Sequence, residues 1–472
     1  MIFLAAILIL VLIGSWYFLA TTNKSSKPLL EVPGISPSHS QLGNMPDITK
    51  SGSLHGFLSN LHEENKTLFV KKEYGSVASF WFGETQVVST AHPDAFKPQS
   101  HIFDRPVQLY DNLKPLLGDY FQFMNGETGK RFRHYLDKSY TAHACASYLP
   151  TLTEIAERLA DQWSSEPRVD LNESMQIFAL RCIMRTSFGD YFKSDAACHK
   201  FCQNYDIAFT SLDEHLADPS KPLPPKFQEA LSEMKSQIQQ IAKERRDNPP
   251  PEGGRLVIDE ILDVSSGEQQ LFDLAITYVI GGFHTSGTFL AWCLYYLARY
   301  PDIQDKVRQE LASVLGDAEE VADYHQSQLE FTRKTIEETL RVAFVAPYAA
   351  RMPSEAIKIG GYHIPEGTVI LQALGVTEQS EQLWPEPTKF DPNRFDGVRE
   401  KFGDNLACPF FGFAGKRKCP GYRFTYAEAH CLLAVLLKKF KLSLVEPEKE
   451  IEKKIGLVTH PVGEIWATLE KV

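Results

Sequence analysis

Residues 267–299 carry a helical pattern of apolar positions with no proline in it, and two adjacent glycines, Gly281 and Gly282, stand in its middle, just before His284 and Thr285. Each glycine costs roughly 1 kcal/mol relative to alanine inside a helix. The pair is tolerated where side chains would obstruct, so something flat is expected to lie against that face. Further helical patterns cover 148–163, 173–186, 226–246, 302–315 and 327–345, with Pro222, Pro224 and Pro225 breaking the middle of the series. Two β-rich patches interrupt them. One is a hairpin over 76–90, turning at Gly83, Glu84 and Thr85; the other spans 356–375, with Gly360-Gly361 and Pro365-Glu366-Gly367 as turns. The expected fold class is mainly α with a minor β subdomain, in one body without internal repeats.

The N-terminus adds a second unit. Residues 2–20 are apolar apart from Gly14 and Ser15 and hold no charged side chain. At about 1.5 Å per residue they just cross a hydrocarbon core of roughly 30 Å. The alternative, a cleaved signal peptide, lacks its basic leading region here. The expected organisation is a transmembrane anchor at 1–22, a hinge at 23–45 containing Pro28, Pro33 and Pro37, and a catalytic domain at 46–472. Trp16 and Tyr17 suit an interface, and Lys24 and Lys27 place the remainder in the cytoplasm by the positive-inside rule. Composition removes other classes. An apolar share of 43% supports a large core, and 49 Lys and Arg against 60 Asp and Glu, net -11, argue against nucleic acid as the partner. The 8 cysteines show no CxxC pair or framework spacing, which suggests a reducing compartment. Cys198 and Cys202 flank His199, yet no second ligand pair stands at zinc distance, so they read as helix cysteines.

Chemistry concentrates near the C-terminus. In PFFGFAGKRKCPGYRF (409–424), Gly412 and Gly415 permit tight turns, and Cys419 follows Lys416, Arg417 and Lys418 just ahead of a helical run. Cations and a helix N-terminus lower a thiol pKa, so Cys419 is expected as the thiolate, the form that binds iron. A buried structural cysteine fits the same loop. Glu338 and Arg341 stand i,i+3 in a helical pattern and face one way. FDPNRF (390–395) then offers Arg394 as a third member of a buried network, stable only if its charges satisfy one another.

Taken together, these residues resemble the cytochrome P450 superfamily of haem-thiolate enzymes over essentially the whole chain. The segments PGISPS, GNMPDI and SGSLHGFLSNLHE make it most similar to the family 20 branch. The resemblance implies the cytochrome P450 fold and haem b as cofactor, with Cys419 as axial ligand of the iron. It implies Arg417, Arg133 and Arg351 as partners of the haem propionates, and Glu338, Arg341 and Arg394 as a structural triad. Gly281 and Gly282 match the oxygen-binding groove, and Thr285 the proton-delivery position. Segments 107–123 and 201–212, with Phe344, Val345 and Ala346, match the substrate pocket.

Three positions depart from the family pattern. His284 replaces the usual acid before the threonine; its near-neutral pKa suits proton transfer. Gly129 replaces a tryptophan, and Gly412 replaces a phenylalanine seven residues before the cysteine. The implied activity is a monooxygenase acting on a lipophilic small molecule with electrons from an NADPH-dependent flavoprotein reductase. Lys416, Arg417 and Lys418, with Lys130 and Arg131, would form a basic patch for that partner, unless they are merely a solvated charge run. The implied location is the endoplasmic reticulum membrane, single-pass, with the catalytic domain facing the cytosol and lipid contacted through the N-terminal helix. A haem-thiolate isomerase or dehydratase, and a non-enzymatic haem-binding sensor, stay open as alternatives.

Overall fold

A computed structural model describes residues 30–62, 74–107, 109, 113–118, 124–217, 222–250, 254–316, 318, 320–403, 409–412 and 415–472. The anchor expected at 2–20 lies outside them, as do Cys408, Phe413 and much of 107–123. Among the described residues no helix is long and apolar enough to cross a membrane.

In chain order the principal elements are α1 (Leu54–His62), β1 (Val77–Phe82), β2 (Thr85–Thr90), α2 (Gly126–Leu136), α3 (Ala142–Trp163), β3 (Val169–Asp170), α4 (Leu171–Phe188) and α5 (Asp195–Ala217). There follow α6 (Pro225–Asp247), α7 (Val257–Val264), α8 (Glu268–Arg299), α9 (Pro301–Leu315), α10 (Glu330–Ala343), β4 (Tyr348–Arg351), β5 (Ile357–Ile359), β6 (Tyr362–Ile364) and β7 (Ile370–Ala373). The last are α11 (Phe395–Phe402), α12 (Tyr422–Lys439), β8 (Phe440–Leu444), β9 (Lys453–Ile455), β10 (Thr459–Pro461) and β11 (Trp466–Lys471).

The central rod is α8, buried along nearly its whole length. A helix apolar on every side has to be wrapped by others, and here α4 lies along it while α12 packs on α3. The helix starting at Ala142 reaches further back than the pattern at 148–163 indicates. Thr141 caps it, its hydroxyl accepting from Ala144 N at 3.2 Å, and Pro150 sits inside it. The proline removes one backbone donor, and the buried stripe from Cys145 to Trp163 holds the helix together across it.

The hairpin of the first β-rich patch and β7 of the second, some 280 positions apart in the chain, meet with β4 in one sheet of order β1-β2-β7-β4, while β5 and β6 pair with each other in a separate two-stranded sheet. In it β2 runs parallel to β7, with Val88 opposite Ile370, and β4 is antiparallel to β7, with Arg351 opposite Ile370. The described part of the expected hinge also belongs to this body. Ser79 N donates to Pro33 O at 2.8 Å, Ile35 N donates to Ser79 O at 3.0 Å, and Asn44 N donates to Trp81 O at 2.8 Å. A Cβ on Gly34 would stand 2.0 Å from Ser79 O, so only glycine lets the segment approach this closely. Residues 32–45 are therefore an edge laid on β1 rather than a free-standing spacer.

Candidate active site

Between the middle of α8 and the start of α12 lies a cavity of about 300 Å³, within the range of small-molecule sites. Gly281, Gly282 and Thr285 of α8 line it, together with Phe410, Phe411, Gly412 and Cys419 of the loop ahead of α12. Cys419 is open to this cavity, and its backbone N donates to Phe411 O at 2.8 Å. Two glycines shape its loop. Gly412 has φ +78°, and a Cβ on Gly415 (φ +119°) would sit 2.2 Å from Ser100 O. The position where the family places phenylalanine is thus a left-handed turn, and the aromatics facing the cavity come from Phe410 and Phe411 just before it.

The thiol departs from expectation. Burial pushes the Cys419 pKa up, and the Gly421 N–H, Arg133, Arg105 and Lys418, which pull it down, do not overcome that. The neighbouring cations alone do not make a thiolate here. A coordinated metal ion deprotonates its thiol outright.

At one end of the cavity four arginines converge: Arg105, Arg133, Arg351 and Arg417. Arg417 is buried; its Nε donates to Phe103 O at 2.8 Å, and its guanidinium lies 3.8 Å over the Phe103 ring. Burial, then the repulsion of Arg105, Arg133 and Arg351, brings its pKa down to about 8. Arg133 donates to Lys418 O at 2.6 Å and pairs with Asp137, while Arg351 Nη1 donates to Ala350 O at 2.8 Å. Four cations gathered at one cavity, with Asp137 and Asp104 beside them, suit an anionic ligand. Three of its members were expected from the sequence. Arg105 was not, because it stands alone in an irregular segment with no motif around it.

The glycine wall divides its work. Gly281 opens onto the cavity, whereas a Cβ on Gly282 would meet Ile183 Cδ1 at 2.5 Å, so Gly282 also makes room for α4. Thr285 Oγ1 donates to Gly281 O at 2.6 Å. His284 is not among the cavity-lining residues. Its ring nests against Phe283, Tyr205 and Phe209, with centroids at 4.1, 5.5 and 6.0 Å, and its buried Nε2 has no hydrogen-bond partner. Burial drives its pKa down to about 3. The near-neutral titration expected of His284 is therefore absent, and the imidazole is uncharged at physiological pH. Phe344 likewise stacks on His55 at 4.7 Å instead of lining the cavity, which Val345 and Ala346 do reach.

Behind the cavity the triad is fully assembled. Arg341 donates from Nε and Nη2 to the two carboxylate oxygens of Glu338, both at 2.8 Å, and Arg394 Nε donates to Glu338 Oε1 at 2.8 Å. Asp391 N adds a fourth bond to the same oxygen at 2.9 Å, and Arg341 and Glu338 are 0% exposed. The neighbouring Glu337, unnoticed in the sequence, ties three helices: it pairs with Arg399 of α11 and Arg333 of α10, and accepts from Tyr426 of α12 at 3.1 Å.

Residues 33–467 match the sequence profile of the cytochrome P450 family. The chain belongs to that family. Cytochrome P450 20A1 of Homo sapiens is 31% identical over 480 residues, covering 99% of this chain and 98% of the relative, and that of Mus musculus is 30% identical over 481 residues with the same coverage. Cytochrome P450 4F3 of Homo sapiens is 25% identical over 473 residues, 90% of each chain. Cytochromes P450 are haem-thiolate proteins and generally monooxygenases, and the cavity lining holds what such a group needs: a thiol, glycines that leave room, and cations. The replacement of the P450 tryptophan by Gly129 has a local cause. A Cβ there would lie 2.0 Å from Met124 O and 3.0 Å from the Phe103 ring, the two residues whose carbonyls hold Arg417.

Proposed function

We propose that this P450 binds haem b and inserts one oxygen atom of O2 into a lipophilic small molecule, with electrons from an NADPH-dependent flavoprotein reductase. The observation that carries the reading is one cavity lined by both Thr285 and Cys419 together with four arginines. Cys419 would hold the iron, and Arg105, Arg133, Arg351 and Arg417 the propionates. Bound there, the haem would supply oxygen activation, with the thiolate favouring O–O cleavage. The chain's own contribution is placement. Thr285 keeps a hydroxyl, anchored on Gly281 O, inside the cavity, and the walls from Ile183, Phe289, Val345 and Leu374 exclude water and suit an apolar substrate.

Delivery of electrons fits the face outside the cysteine loop. Lys416 is exposed there, and Lys130 pairs with Glu127 at 2.6 Å at the start of α2. These cations would steer an acidic partner despite the chain's net charge of -11. Residues 2–20 would anchor the protein in the endoplasmic reticulum membrane, with the catalytic domain in the cytosol.

The deciding measurement is the absorption spectrum of the dithionite-reduced protein with carbon monoxide, beside a C419A control. A red-shifted thiolate-type Soret band, absent from the control, is the expected result. A band unchanged by the substitution would overturn the assignment.

A further inference from the structure

Two glycines of positive φ, Gly412 at +78° and Gly415 at +119°, stand between Phe411 and Cys419. Backbone of that kind gives up much conformational freedom on folding and does not place a side chain by itself. One hydrogen bond closes the loop, from Cys419 N to Phe411 O at 2.8 Å. Placement of the sulfur therefore depends on what holds Phe411, and that hold comes from α12 and, behind it, α10. Tyr422 and Tyr426, one turn apart on α12, form a slot for the Phe411 ring, with centroids at 6.1 and 5.8 Å. The Tyr426 hydroxyl donates to Glu337 Oε1 at 3.1 Å, and Glu337 is itself buried, with its other oxygen taken by Arg399. Arg399 carries a second line of contacts. Its guanidinium lies 5.2 Å over the Phe395 ring, which meets the Phe410 ring edge-on at 6.2 Å. Two adjacent aromatic residues of the cysteine loop, both lining the cavity, thus lean on one carboxylate.

We propose that Tyr426 and Glu337 are positioning residues for Cys419: their hydrogen bond fixes the Phe411 ring in its slot, and Phe411 O fixes the cysteine backbone. This rests on Cys419 being the ligand of the haem iron. Packed rings pass position along because a protein interior has little free volume to absorb a shift. The clamp acts one residue before Gly412, where the family pattern has phenylalanine and this chain has no side chain to pack. Its effect is to hold the sulfur in one place before the cofactor arrives, as groups behind a metal ligand generally orient that ligand. Neither Tyr426 nor Glu337 lines the cavity; both act through Phe411.

Amide hydrogen exchange of the full chain, resolved at Cys419 by fragmentation mass spectrometry, tests this apart from turnover. Y426F keeps the ring and removes only the hydroxyl, so the Cys419 amide should exchange about fivefold faster than in the unaltered chain, the weight of one ordinary hydrogen bond. R333Q takes a partner from the same Glu337 oxygen without touching the loop, and should leave that amide unaltered. F411L removes the ring that the slot holds, so adding Y426F to it should bring no further acceleration. With haem loaded, the thiolate-type Soret band of the carbon monoxide complex, kept in urea below the unfolding transition, should revert to the unshifted position about fivefold faster in Y426F and at the original rate in R333Q. An unaltered Cys419 amide in Y426F, equal acceleration in R333Q, or additive effects of Y426F and F411L overturn the proposal. Should F411L not fold, Y426F and R333Q decide it. A Soret band that survives C419A refutes the haem-thiolate reading instead, and amide exchange still shows whether Tyr426 holds the cysteine loop.

Discussion

Replacing Glu338 with glutamine is the sharpest test of how the haem-side scaffold is held. The side chains are nearly isosteric, so no cavity is created and only charge and hydrogen-bond polarity change. Glu338 receives four hydrogen bonds, two from Arg341, one from Arg394 and one from Asp391 N. In E338Q an amide NH2 must replace one acceptor oxygen and face a guanidinium. Arg341, 0% exposed, keeps its charge with the one remaining amide oxygen and the carbonyls of Glu378 and Lys389 as partners. Removing one partner of a buried ion pair costs about 3–5 kcal/mol, a large share of the 5–15 kcal/mol by which domains are stable. Unfolding entropy of about 2.1 cal/mol/K per residue gives a chain of this size roughly 1 °C of midpoint per kcal/mol, so about 3–5 °C. Urea titration followed by tryptophan fluorescence reads the free energy more directly. The control is E446Q, which removes an exposed ion pair with Lys449 at 3.0 Å and should change stability by under about 0.5 kcal/mol. A loss in E338Q below about 1 kcal/mol, or no larger than in E446Q, would refute the claim that this carboxylate compensates buried charge.

Other consequences are equally direct. R105Q should speed haem transfer to a globin acceptor about tenfold, the equivalent of one charge-assisted hydrogen bond; an unchanged rate would remove Arg105 from the propionate set. G129A should lose about 2 kcal/mol or more in urea, because the new Cβ meets Met124 O at 2.0 Å, and a neutral result would show that the turn before α2 yields freely. H284F should keep stability within about 1 kcal/mol and leave oxygen coupling unaltered, since it preserves the aromatic nest and deletes an unpartnered nitrogen; lost coupling would restore His284 to the proton path. Stability should peak near pH 6.5–7. His55, His62, His430 and His460, with pKa values brought down to about 4, and His284, to about 3, are neutral when folded but protonate below about 6.5 when unfolded. Their contribution is whole above that pH and is lost as pH falls. Glu378 and Glu428 shift upward and act in the opposite sense, costing stability as pH rises towards 8. From pH 6.5 to 5 the net loss is on the order of 4 kcal/mol, and midpoints that stay level across that range in a pH series would contradict it.

What the sequence made legible was what lies within one stretch of chain. The Glu338–Arg341 spacing, the glycines and cysteine of 409–424, and the proline-free run of α8 each state their local geometry in a few adjacent residues. The order of these stretches supplied the family, and with it the fold. What stayed hidden depends on segments far apart in the chain. Gly129 reads as a missing indole until the carbonyl of Met124 is seen filling its place. Gly282 reads only as a bed for a flat ligand until Ile183 of α4 is found against it as well. Proton transfer shows the difference best. A search along the chain from Thr285 stops at His284, because the helix puts that residue next in sequence. A side chain one position away in a helix points about 100° aside, here towards α5 and its aromatic rings.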